Sequence, residues 1–140
     1  MEYNKLISVT GFSGLFELIT SKTDGAIVRS LEDNSTKFVS SRIHQFSHLE
    51  SIEVYTTDEN INLADLFKKM DASQTPIPSE KDNKAVLEYF KTITPELDFE
   101  RVYTSDMKKM VRWFSIIQKN QIELILSEIE EDEIDEEEAN

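Results

Sequence analysis

The chain has 140 residues, no cysteine and a formal net charge of -13, from 15 Lys and Arg against 28 Asp and Glu. The absence of Cys excludes disulfides, thiolate metal ligands and a cysteine nucleophile, and the acid excess argues against direct nucleic-acid binding, which needs a basic face. No run approaches the roughly 18 apolar residues of a membrane span, and the start MEYNKLISV lacks a basic region followed by a long apolar stretch, so the expectation is a cytoplasmic protein without a membrane partner.

Residues 5 to 56 read as short strands separated by turn residues. Leu6 to Val9, Leu15 to Ile19, Ala26 to Leu31, Lys37 to Ser40 and Ile52 to Thr56 are rich in β-branched and aromatic side chains. Gly11 and Gly14 bracket one turn, Lys22 to Gly25 form a hairpin turn ending in Asp-Gly, and Glu32 to Ser35 make the next. Strands this short and closely spaced predict a small curled antiparallel sheet or barrel.

At Asn62 the period changes. Leu63, Leu66, Phe67 and Met70 recur at helical spacing behind an Asn62 cap, which predicts a helix from Asn62 to Met70. Residues 71–78, with Pro76 and Pro78, read as a linker. Ser79 then caps a helix over Glu80 to Ile93, stopped by Thr94 and Pro95. A further helix from Ser105 to Lys119 carries Met107, Met110, Val111, Phe114 and Ile117 on one stripe, and Ile122 to Ile129 fits a last one.

Glu128 to Glu138 holds nine Asp or Glu, no Lys or Arg, and only Ile129 and Ile134 as apolar residues. Such a segment repels itself and has too little apolar surface to offset the entropy of ordering, so a disordered acidic tail over 130–140 is expected. Removing those nine charges from -13 leaves -4 for residues 1–127. The tail could steer a basic partner or serve solubility alone.

Few residues carry recognisable chemistry. His44 and His48 lie four apart near Glu50 and Glu53, and would share a helical face if this stretch were helical, but the acid beside the first His that marks a hydrolytic zinc helix is missing. The Gly11-Phe12-Ser13-Gly14 turn lacks the Lys and following helix of a phosphate cradle. No carboxylate pair stands out as an acid and base, so no catalytic residue, metal site or cofactor is assigned. Tyr103, Asp106, Arg112 and Trp113 form the densest group capable of specific recognition, with Trp113 at the edge of the apolar stripe. Packing of one module on the other is the plainer role for Trp113.

Lys5 to Phe16 and Asp98 to Lys109 give the chain a resemblance, over most of residues 4 to 125, to an uncharacterised protein family of the Bacteroidetes. The resemblance implies a small SH3-like β-rich N-terminal domain, a helical C-terminal domain and an acidic tail, and carries no catalytic residue onto this chain. The fold expected is α+β, an SH3-like antiparallel β-barrel over 1–70 with its closing helix, a linker over 71–78, and a three-helix domain over 79–129. The leading expectation for function is a non-catalytic protein-binding or adaptor role, through the Tyr103 to Trp113 region or an open sheet edge. An RNA- or ribosome-associated role would need Lys5, Lys22, Arg29, Lys37 and Arg42 to converge, and a small metal-dependent hydrolase would need His44 or His48 in a cleft with carboxylates.

Overall fold

The computed structural model describes residues 2–126, so the expected acidic tail lies outside the described residues. Five strands form one antiparallel sheet: β1 (Leu6–Val9), β2 (Phe16–Lys22), β3 (Gly25–Ser30), β4 (Thr36–Ser40) and β5 (Phe46–His48), in the order β4-β3-β2-β1-β5. Gly11 and Gly14, both at positive φ, turn β1 into β2. The Asp24-Gly25 pair does mark a hairpin, but Gly25 is the first residue of β3 and has no positive φ. Its missing side chain lets the Phe38 ring lie close, since an added Cβ would sit 2.7 Å from the ring and collide with the Val39 carbonyl.

The expected barrel is not closed. β4 and β5 are the two edges and share no ladder. The segment read as a fifth barrel strand, Ile52 to Thr56, leaves the sheet instead. Its β6 (Glu53–Val54) pairs only with β7 (Ile61–Asn62). The strand that takes its place beside β1 is β5, three residues long, which pairs with β1 and forms no ladder with β4. Curvature comes from a bulge in β2, where the register shifts between Leu18 and Thr20. One face of this curled sheet buries its own small cluster of Ile7, Val9, Phe16, Ala26, Val28 and Val39, with Phe12, Leu18 and Phe46 at its rim.

Three helices follow: α1 (Leu63–Ala72), α2 (Asn83–Ile93) and α3 (Thr104–Lys119). Asn62 caps α1 as expected, its side chain accepting from Ala64 N–H at 2.8 Å. α2 starts three residues later than Ser79 would place it, because Asp82 is the side chain that accepts from the first turn, at Ala85 N–H. α3 starts at Thr104, with the Asp106 carboxylate accepting from the Tyr103 N–H at 2.9 Å. The helix expected over Ile122 to Ile129 is absent from its described part, residues 122–126. Gln121 takes a left-handed φ of 54° that ends the helical path, and Glu123 forms an isolated bridge with Glu2. The third helix of the set is thus α1.

The main core joins the sheet to all three helices. Tyr3, Leu6, Leu15, Leu31 and Leu49 pack with Leu66, Phe67, Phe90, Val111 and Phe114, and the Phe67 and Phe114 rings meet at 5.8 Å. Burial of these large side chains stabilises each by about 1.5–3 kcal/mol relative to exposure. Among the described residues, no helix is long and apolar enough to cross a membrane.

Candidate functional site

On α3, Asp106, Lys109, Met110 and Trp113 stand at the i, i+3, i+4, i+7 spacing that puts them on one helical face. This face looks onto the β6 strand and the segment after it, leaving a cleft of about 240 Å³. Apolar side chains of Val54, Leu63, Val102, Met110 and Trp113 line its floor, while Glu53, Tyr55, Arg101, Asp106 and Lys109 stand at its rim. Trp113 is half-buried and packs against the main core, so the indole is held by the fold and still borders the cleft.

The wall opposite α3 is pinned by backbone and side chain together. Asp98 N–H donates to the Tyr55 carbonyl at 3.1 Å, and Thr57 N–H donates to the Glu96 carbonyl at 2.9 Å. Arg101 donates through Nε to Asp98 Oδ2 at 2.8 Å, and its guanidinium carbon lies 4.2 Å from the centre of the Tyr55 ring. The Arg101 hydrogen bond, followed by the Glu100 N–H, holds the Asp98 carboxyl below the usual carboxylate range. Arg101 is thereby held over the Tyr55 ring, which is 44% exposed at the mouth.

The four residues singled out in the sequence do not form one group. Asp106 and Trp113 line the cleft. Tyr103, 63% exposed, sits at the start of α3 outside the lining. Arg112 points away from it, donating to Glu32 at 2.9 Å and lying 3.6 Å from Glu80, in a separate, larger groove of about 700 Å³ that Lys81, Ser115 and Lys119 also line. Residues Tyr55, Arg101, Lys109 and Met110 were not singled out. The last two share the helical spacing of Asp106 and Trp113, a signal that was available, whereas Tyr55 and Arg101 arrive through pairing far along the chain.

His44, Arg29 and Lys37 have local structural partners. Phe46–His48 is a strand, so His44 and His48 share no helical face. His44 Nδ1 lies 2.7 Å from the Thr10 carbonyl oxygen and its ring 4.9 Å from Phe12, which fastens the β4–β5 connection to the β1 turn. Among the described residues no three His, Asp or Glu side chains come together as a metal would need. Of the cations required for an RNA face, Arg29 is bonded to Glu17 and to Asn34, and the Lys37 ammonium lies over the Phe12 ring. Along β3, Arg29 is about 13 Å from Gly25, the partner of Lys22.

Residues 4–49 match the model of a Domain of unknown function (DUF5606), and residues 52–117 match that of a second Domain of unknown function (DUF6852). The sheet through β5 falls in the first, and the cleft, α1, α2 and α3 up to Ile117 in the second. The solution NMR structure of a protein from Bacteroides vulgatus is similar at a TM-score of 0.63 and 27% identity, over 84% of this chain and 86% of that one. No curated protein matches. The two parts of the chain thus match two successive domains of unknown function, and its α+β architecture of sheet followed by helices is similar to that of the Bacteroides vulgatus protein.

Proposed function

We propose that this chain is a non-catalytic protein-binding or adaptor protein of the cytoplasm, and that the cleft beside Trp113 is its recognition surface. The observation that supports this reading is the pairing of a half-buried indole, packed against the main core, with an apolar floor and a rim of both charge signs, Arg101 and Lys109 against Glu53 and Asp106. Anchored aromatic and Arg side chains around a small apolar pocket are the usual carriers of binding energy between proteins. A volume of about 240 Å³ accepts one or two apolar side chains of a partner, with the rim charges setting its orientation.

Affinity capture from the native bacterial lysate tests this, using the full chain, a version ending at Ser127, and the full chain with Lys109→Glu and Tyr55→Ser. A discrete partner held by the first two and released by the rim variant, with all three folded, supports the cleft. Equal capture by the rim variant removes it, and loss on truncation alone moves recognition to the acidic segment.

A further inference from the structure

A second surface, sharing no residue with the Trp113 cleft, lies at the β4 edge of the sheet. Ser30 N–H donates to the Ser35 carbonyl at 2.8 Å and Ser41 N–H to the Asp24 carbonyl at 2.9 Å, which fixes the hydrogen-bonded positions of the β3–β4 ladder. By the alternation of antiparallel pairing, Lys37 and Val39 turn their main-chain groups to β3, and Thr36 and Phe38 turn theirs to the open edge. Ser40 also faces outward, but its carbonyl accepts from His44 N–H at 3.1 Å. Thr36, Lys37 and Phe38 are all exposed, so nothing within the described residues covers this edge.

Side chains on the outer face give the edge a chemical character. Ile27 pairs with Phe38 on one side and Thr20 on the other, and the β2 bulge inserts Ile19 beside Thr20, so an apolar row crosses three strands and ends at Phe38. Phe38 is 47% and Ile19 48% exposed, and Ile43 in the next turn is 76% exposed. Charge is reversed locally. Residues 20–45 hold Lys22, Arg29, Lys37 and Arg42 against Asp24, Glu32 and Asp33, a local net of +1 on a chain of net charge -13. None of Lys22, Lys37 and Arg42 forms an ion pair among the described residues.

We propose that β4 is a strand-addition site for an extended acidic segment of a partner protein that sets an apolar residue opposite Phe38. The open N–H and C=O groups of Thr36 and Phe38 would supply the main-chain bonds, and the Ile19–Ile27–Phe38 row would continue onto the added strand. Lys22, Lys37 and Arg42 select acidic residues around that apolar one. A second copy of this chain is disfavoured as the added strand, because it would bring the same three cations to the junction.

The test uses a fluorescein-labelled peptide of about seven residues, Glu alternating with Val and Ile, and its counterpart with Lys for every Glu. Full-length protein should raise the anisotropy of the acidic peptide alone, and the acidic peptide should shift the amide resonances of Thr36 and Phe38. Thr36→Pro removes an edge-facing N–H while sparing the β3 ladder, and it should weaken binding about tenfold, as should Arg42→Glu on a surface where folding is not at stake. Four results would overturn the proposal: equal binding of both peptides, no binding of the acidic one at millimolar concentration, shifts confined to Tyr55 and Trp113, or a β4-dependent dimer in sedimentation.

Discussion

Arg112 on α3 donates through Nη2 to Glu32 Oε2 at 2.9 Å, joining the helical half to the turn after β3 across 80 residues of sequence. Gly14 makes room for that carboxylate. It has a φ of +82°, and a Cβ added there would lie 2.5 Å from Glu32 Oε1. Gly14→Ala should lower stability by about 1–3 kcal/mol, read from urea unfolding. The loss should be smaller, yet still present, in a Glu32→Ala background, where the contact is gone and the backbone strain remains. Arg112→Met should cost at most about 1 kcal/mol, because both partners are partly exposed.

The Asn62 side chain works in two directions, accepting from Ala64 N–H and donating to the Glu50 carbonyl at 2.9 Å. It ties the first turn of α1 to the chain leaving the sheet. Asn62→Ala should therefore cost more than an ordinary cap, about 2 kcal/mol, whereas Asn62→Asp should retain the cap and lose only the bond to Glu50. Thermal unfolding of the two variants separates the contributions.

That cap was legible in the sequence, as were β1 to β4 and the existence of α2 and α3, since each is set by residues close together in the chain. What was not legible depended on distant pairing. The Ile52 to Thr56 segment has the composition of a strand and becomes one, but its partner is Ile61–Asn62 and not the sheet. β5 escaped notice because Phe46-Ser47-His48 is short and holds no β-branched residue. For the cleft, the stripe of Asp106 and Trp113 could be read from helical spacing, whereas the wall of Tyr55 and Arg101 exists only because Asp98 bonds back to the Tyr55 carbonyl.

The Tyr3 hydroxyl is buried in the main core and has no hydrogen-bond partner among the described residues. Burial, followed by the nearby Glu50 charge, pushes its pKa well above the usual 10.0. A raised folded-state pKa favours the neutral form, so its contribution is fully present below pH 10 and is lost as pH rises beyond it. Tyr3→Phe should leave stability at pH 7 unchanged or raise it by up to about 1 kcal/mol, and should lessen the alkaline decline. Denaturation at pH 7 and pH 11 checks both.

Glu96 shows the opposite sign. The Lys69 ammonium, bonded to its carboxylate, is the largest of the effects that hold its pKa below the usual 4.5. The pair's contribution is thus present above pH 4.5 and is lost as pH falls through the lower, folded value. Lys69→Met should flatten this part of the acid limb of the stability curve, and the difference from wild type should shrink between pH 6 and pH 3.

Photo-crosslinking in the native bacterium tests the Trp113 cleft most directly, with benzoylphenylalanine replacing Tyr55 at the cleft mouth or, as a control, Glu88 on the exposed side of α2. The account predicts a discrete adduct from position 55 that is lost when Lys109→Glu is added, and none from position 88. No adduct at position 55, or the same adducts from both positions, would contradict it.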